Sequence, residues 1–342
     1  MSDIRQHITA LMAAAAISML PAAAAENSNS GTEEKKVDYM PEIHGVVRAR
    51  WEIDTQHGDQ RFQIRNARVN VSGNVAPTIG YYIQTDFCDA GTIKILDAYA
   101  RVGILKGLNL RAGQFRMPFG VETFRSPTNY FFSNRSFMGK QVMNYRAVGA
   151  RIAYTLPVSL PLTVEAGAFN PGSISSHTPW NRTVAYAAKA TMTSPSTGIV
   201  TSVSYASLRP EKLRANLIDA FMGWKNDSWF LAAEYMFENY CGGNIRSAHS
   251  YMAMADWHMP LKRTVFNQFS VQGRFDGMAR HTALRSSEEG LTDANRLTAG
   301  VTLTYIYKIF RADLRLNYEH YLNERGTEPA RNLMSAEIVV KF

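Results

Sequence analysis

The side chains with the most to offer chemically in this sequence are its arginines, and they are unevenly spread. Residues 44–151 hold 15 basic and 7 acidic side chains, whereas residues 152–342 hold 19 and 16 and residues 1–43 hold 3 and 6. The formal charge of +8 therefore comes from one third of the chain. A guanidinium stays charged at any physiological pH and presents a planar fork of donors that matches oxyanions. A series of such groups, each binding modestly, lets an anion both enter and leave. Arg48 and Arg50 alternate on one polar face with His44, Glu52 and Asp54, and Arg68 does so with Asn70, Ser72 and Asn74. Glu52, Asp54, Asp86, Asp97 and Glu122 can each pair with a neighbouring arginine, yet 7 acids cannot neutralise 15 bases.

Other chemistries find less support. The 8 histidines show no H-x-x-x-H spacing, so no metal and no cofactor is expected. His44 and His258 sit on polar faces without ligand partners. Asp97 and Glu122 read as arginine partners rather than as catalytic carboxylates. No G-x-S-x-G and no Cys/His nucleophile arrangement occurs, so no enzyme is expected. A basic block often marks a nucleic-acid partner. An exported β-rich chain meets no nucleic acid, and a field that attracts small anions fits that compartment.

Export is read from residues 1–25. Arg5 lies in a short n-region, Ile8 to Leu20 form an apolar stretch too short to span a membrane, and Pro21 to Ala25 offer an A-x-A cleavage site. Residues 26–41 are polar and read as a periplasmic linker. Residues 42–342 then alternate with a period of two almost to the end. Along the first strand Ile43, Gly45, Val47, Ala49, Trp51 and Ile53 share an apolar face. Sixteen such segments can be counted, the second with its alternation out of phase near Arg65-Asn66, which predicts a β-bulge there. Strand 13 is expected over Val265–Phe275. Links of about two to five residues, rich in Gly and Pro, alternate with longer ones, the rhythm of an outer-membrane barrel. Trp51, Tyr81, Tyr154, Tyr186, Tyr205, Trp229, Tyr235, Tyr251, Trp257, Tyr305 and Tyr318 fall on the apolar faces, as aromatic girdles would. The polar faces, rich in Arg, Lys, Glu, Gln, Ser and Thr, suit a wet lumen. The fold expected is all-β, a transmembrane antiparallel β-barrel of 16 strands. Cys88 and Cys241 fall on strands far apart around it, where a disulfide is not expected.

One stretch breaks the rhythm. After the fifth strand Pro118 ends the alternation, and the segment 114–145 is long, aromatic and basic. It is expected to fold inward and narrow the barrel, with Phe131, Phe132 and Phe137 packing it against the wall. A non-channel reading, in which it plugs a barrel with a binding or structural surface role, is the alternative. The last strand ends in Phe342, resembling the signal by which the barrel-assembly machinery recognises its clients.

Three stretches carry a family resemblance: Arg61-Phe62-Gln63-Ile64-Arg65-Asn66-Ala67-Arg68 with Gly73, Leu96-Asp97-Ala98-Tyr99, and Gly113-Gln114-Phe115-Arg116-Met117-Pro118-Phe119-Gly120-Val121-Glu122. In order and spacing the chain resembles the phosphate-selective porin O and P family of Gram-negative outer membranes. That resemblance implies a homotrimer in contact with lipid and lipopolysaccharide, passive diffusion of small anions, and phosphate or polyphosphate as candidate solutes. It also implies a ladder of lumenal arginines. Arg48, Arg50, Arg65, Arg68, Arg101 and Arg111 sit on strands that can supply it, and Arg116, Arg125, Arg135 and Lys140 sit in or beside the long loop. The family often has paired arginines where this chain has Arg65-Asn66. Loss of one guanidinium weakens bidentate oxyanion recognition, so general anion preference is implied more firmly than phosphate specificity.

Overall fold

The computed structural model describes residues 38–342 except 90, 143–145, 159, 172–173, 175–177, 179, 209–213, 242–246, 263, 280–293 and 325–331. The expected leader and most of the linker thus lie outside the described residues. Sixteen strands form among those described. They are β1 (Glu42–Asp54), β2 (Gln60–Ala76), β3 (Ile79–Asp89), β4 (Thr92–Leu105), β5 (Leu108–Arg116) and β6 (Arg146–Leu156). Next come β7 (Leu162–Phe169), β8 (Ala185–Ser194), β9 (Ile199–Leu208), β10 (Arg214–Lys225) and β11 (Trp229–Cys241). The chain ends with β12 (Ala248–Pro260), β13 (Gln268–Met278), β14 (Ala294–Tyr307), β15 (Phe310–Glu324) and β16 (Leu333–Lys341). Each pairs antiparallel with its sequence neighbours, and β1 pairs with β16, so the sheet closes with no free edge. Closure is what allows strands to cross hydrocarbon, because every ladder group finds a partner.

The seam depends on a small residue. Gly45 donates to the Phe342 carbonyl at 2.8 Å and accepts from the Phe342 amide at 3.1 Å. A Cβ on Gly45 would lie 2.2 Å from the Phe342 ring, so the C-terminal aromatic lies directly over the glycine. The expected bulge is present: Arg48 faces Asn66 while Ala49 faces Ile64, leaving Arg65 as the extra residue. Strand β13 starts three residues later than expected. Asn267 accepts from the Leu261 amide and donates to the Thr304 carbonyl, both at 2.8 Å, which keeps Val265 in the turn and exposed.

Outward positions of β9–β11 are apolar and exposed, as with Val203, Tyr205, Ile218, Met222, Leu231 and Tyr235. Inward positions differ from one wall to the other. The polar inner face expected throughout gives way on β9–β13 to Leu208, Leu217, Phe221, Phe230, Met236, Met252, Met254 and Met278. These join Met117, Phe119, Val121, Phe132, Phe137 and Met138 in one buried cluster. The barrel therefore has its hydrophobic core on the inner side of one wall, made by the segment after β5 lying on it. Cys88 on β3 and Cys241 on β11 are free thiols.

Candidate functional site

The segment between β5 and β6 is held at both ends by inward-facing side chains. On one side the successive amides of Gly120, Val121 and Glu122 donate to Ser204 Oγ at 2.9 Å and to the two carboxylate oxygens of Glu234 at 2.6 and 2.8 Å. Lys189 Nζ donates to the Gly120 carbonyl at 2.5 Å. Gly120 has φ of +69°, and a Cβ there would sit 3.0 Å from Glu234 Oε1, so the turn needs glycine. On the other side Ser133 N donates to Asn317 Oδ1 at 2.8 Å, Asn134 Nδ2 to Glu319 at 2.8 Å, and Phe137 N to Asp276 at 2.9 Å. Arg274 reaches the Asn134 carbonyl at 3.0 Å and Arg296 the Arg135 carbonyl at 2.8 Å. The segment is thus tied to β8, β9 and β11 at one end and to β13, β14 and β15 at the other. Its rings pack: Phe131 stacks on Phe230 at 5.0 Å, and Phe137 meets Tyr321 edge-on at 6.2 Å.

The ten cations singled out in the sequence fall into three sets. Four have carboxylate partners. Arg48 pairs with Glu337 at 2.6 Å while donating to the Ser133 carbonyl, and Arg50 pairs with Glu52 at 2.6 Å while donating to Asn134. Arg68 pairs with Asp86 at 2.7 Å and Arg125 with Glu122 at 2.5 Å. Arg135 donates to the carbonyls of Glu122 and Thr123. The other five, Arg65, Arg101, Arg111, Arg116 and Lys140, have no carboxylate within ion-pair distance among the described residues. The Nε atoms of Arg111 and Arg116 are buried without a hydrogen-bond partner. Asn66, at the position where a second arginine was absent, donates to Asp86 at 2.8 Å and accepts from Arg48 at 3.1 Å.

Two groups of the long segment report the field. Lys140 is exposed, but its ammonium is held below the usual lysine range, first by partial desolvation and then by Arg65, Arg296 and Arg50. Burial pushes the Tyr130 phenol up, yet Arg135, Arg116, Arg68 and Arg48 outweigh it and the net shift is down. The Arg48 guanidinium lies 4.9 Å from the centre of the Tyr130 ring and that of Arg135 lies 5.7 Å away. The phenol, which ionises more readily in spite of its burial, is the sign of excess positive charge, and the arginines around Lys140 add to what desolvation does there.

Sequence reasoning missed several inward cations. Arg146 is held by both oxygens of Asp97 at 3.1 Å, and Arg151 pairs with Glu165. Arg296 bridges Asp276 at 2.8 Å and Glu319 at 2.7 Å, and Arg315 bridges Asp313 at 2.6 Å and Glu337 at 3.3 Å. Their alternation with acidic residues on the same inward faces, as in Arg274-Phe275-Asp276 and Asp313-Leu314-Arg315, was the available signal.

A closed sixteen-stranded barrel, apolar outside, with an internal segment and a cationic inner wall, defines a porin-type channel. The chain belongs to the phosphate-selective porin O and P family, whose sequence profile matches residues 42–226. Family and fold place it in the Gram-negative outer membrane as a channel for small solutes. It is similar to the outer-membrane channel DcaP of Acinetobacter baumannii, with 13% identity and a TM-score of 0.63 over 92% of this chain and 100% of that one. It is also similar to an anion-selective porin from Comamonas acidovorans, with 12% identity and a TM-score of 0.61 over 88% and 98%. OmpT of Vibrio cholerae, solved in trimer form, shows 8% identity and a TM-score of 0.60 over 89% and 99%. At these identities the likeness is one of fold. No curated protein sequence matches the chain.

Proposed function

We propose that the protein is a passive channel preferring small anions, exported with its leader 1–25 removed and assembled as a homotrimer, with the segment between β5 and β6 folded inward to narrow the pore. Strand β5 runs on to Arg116, so that segment starts after residue 116 rather than at 114. The observation that carries this reading is the set of five cations, Arg65, Arg101, Arg111, Arg116 and Lys140, that lack carboxylate partners among the described residues. They lie on β2, β4, β5 and the segment after it. A low-dielectric wall with uncompensated positive charge raises the local concentration of anions and lowers that of cations. Because Asn66 spends its amide on Asp86 and Arg48, the bulge offers one guanidinium rather than two, and phosphate is one permeant anion among several. The trimer form of OmpT supports the assembly state. No catalytic role is assigned to any residue, and Phe342 is taken as the C-terminal feature read by the assembly machinery.

Single-channel recording in planar bilayers tests the reading. A steady conductance whose reversal potential in a KCl gradient indicates chloride over potassium is expected. Absence of steady conductance would leave the barrel a plugged structural protein, and cation preference would overturn the anion assignment.

A further inference from the structure

The inner wall of β3–β5 carries a feature that a generic anion path does not use. Tyr82 and Tyr99 are cross-strand partners on β3 and β4, and their rings stack with centroids 5.2 Å apart and planes 19° from parallel. Tyr99 meets Phe115 of β5 edge-on at 5.7 Å, and Phe115 meets Phe169 of β7 edge-on at 5.5 Å. The row runs from open to closed: Phe115 and Phe169 are buried, whereas Tyr82 and Tyr99 remain part-exposed. The Arg111 guanidinium lies 4.1 Å from the centre of the Tyr99 ring. Arg101, its cross-strand partner on β4, makes a single 3.4 Å hydrogen bond among the described residues, to Asn74. On the far side of Arg111 its other partner, Arg151, is committed to Glu165.

The nearest acid on that strand does not compete for these cations, since both oxygens of Asp97 hold Arg146. A guanidinium stacked on an aromatic ring keeps its edge donors free, because the ring engages its face. What the wall presents is therefore two neighbouring guanidiniums beside a stacked ring pair in which Tyr99 is sandwiched between Tyr82 and Arg111, leaving the Tyr82 ring and the edge of Tyr99 open. A tetrahedral, strongly hydrated phosphate gains nothing from the rings, which cannot replace the water it sheds. A flat anion with an apolar body gains from both halves.

We infer that Tyr82, Tyr99, Arg101 and Arg111 form a subsite for planar organic anions, with the carboxylate on the guanidiniums and the flat apolar body against the Tyr82 ring and the edge of Tyr99, which holds Tyr82 in place. The inference rests on the anion-preferring channel reading and specifies its solute class: aromatic monocarboxylates cross more readily than inorganic phosphate. The subsite lies on the periplasmic side of the narrowing segment, because β4 and β5 meet at the short turn 106–107 and the segment begins at the opposite end of β5. A solute that has passed the segment therefore meets it next.

The test is bi-ionic reversal potential across planar bilayers carrying the full-length protein, with potassium chloride on one side and potassium benzoate or potassium phosphate on the other. For the wild type the benzoate-to-chloride permeability ratio should exceed the phosphate-to-chloride ratio. Loss of one stacking partner should lower the benzoate-to-phosphate ratio about two- to ten-fold in Tyr99→Leu. Tyr82→Leu should shift it the same way and serves as an independent variant if Tyr99→Leu assembles poorly, while Tyr99→Phe should restore the wild-type ratio. Equal permeability to benzoate and phosphate in the wild type, or a ratio unchanged in both leucine variants, would overturn the subsite. Potassium preference in a KCl gradient would instead sink the underlying anion reading, so the two failures are distinguishable.

Discussion

A guanidinium serves a passing anion only in so far as its charge is not already balanced. Arg116 and Arg125 both fall in the region of the long segment, and sequence alone gives them the same role. In the structure Arg125 is bound to Glu122 three residues away, while Arg116 has no carboxylate in reach among the described residues. Reversing Arg116 to Glu should cut the chloride-to-potassium permeability ratio several-fold, since each unit charge near the pore is worth about 1 kcal/mol or more. Arg125→Gln should act mainly on stability. It leaves a buried carboxylate uncompensated, at a cost of about 3–5 kcal/mol, read as a lower temperature of barrel unfolding on denaturing gels. The candidate cations were legible because they crowd one third of the chain, but their pairing was not. Arg48 finds Glu337 from the opposite end of the sequence, a contact set by closure of the barrel. Lys140 and Tyr130 add a pH dependence. The lowered lysine loses its charge, and the lowered phenol gains one, at a pH below that of the free side chains. Both changes subtract positive charge as pH rises, so anion preference should fall on the alkaline side earlier than arginine alone permits. A reversal-potential titration checks this, and Tyr130→Phe combined with Lys140→Arg should flatten the curve.

At the scale of elements, period-two alternation made all sixteen strands readable, because an outward side chain must be apolar to meet lipid whatever the inner one does. Even the bulge was visible, since one extra residue shifts the phase of everything after it. The inner face was less legible. Leu217, Phe221 and Met236 point inward, where an aqueous lumen would demand polar residues, because they form the bed for Met117, Phe119 and Phe132. Nothing local to β10 or β11 announces that bed; it exists only once the segment after β5 has somewhere to lie. Glu234 holds that segment through two amides. Glu234→Ala strands both, at about 1–3 kcal/mol each, and should free this end of the segment. Single-channel traces should then become larger and noisier, and mild protease should cut near residues 120–125. Unchanged conductance noise together with unchanged protease resistance would show that the apolar bed alone suffices. The seam makes a second element-scale case. Gly45→Leu drives a side chain into the Phe342 ring, so folded, heat-modifiable barrel should be nearly lost while Phe342→Leu in the wild-type background retains more of it.

The whole molecule is asymmetric about its own axis. An apolar core fills the inner side of β9–β13, and Arg65, Arg101, Arg111, Arg116 and Lys140, without carboxylate partners among the described residues, lie on β2, β4, β5 and the segment above that core. The path left to solutes is therefore off-centre, with one wall positive. Such a wall selects by a field that acts across open water, and that field is subject to screening. The Debye length falls from about 10 Å at 0.1 M salt to about 3 Å at 1 M. Anion preference measured by reversal potential should therefore decline steadily as total KCl is raised at a constant ratio across the bilayer. A pore that chose anions by close contact with desolvated guanidiniums would keep its ratio over the same range, because buried pairs are screened far less. Arg116→Glu provides the control: it should lie well below the wild type in dilute salt and approach it in concentrated salt. Parallel curves that never converge would mean that the arginine acts by contact rather than by its field, and the eccentric positive wall would no longer account for the selectivity.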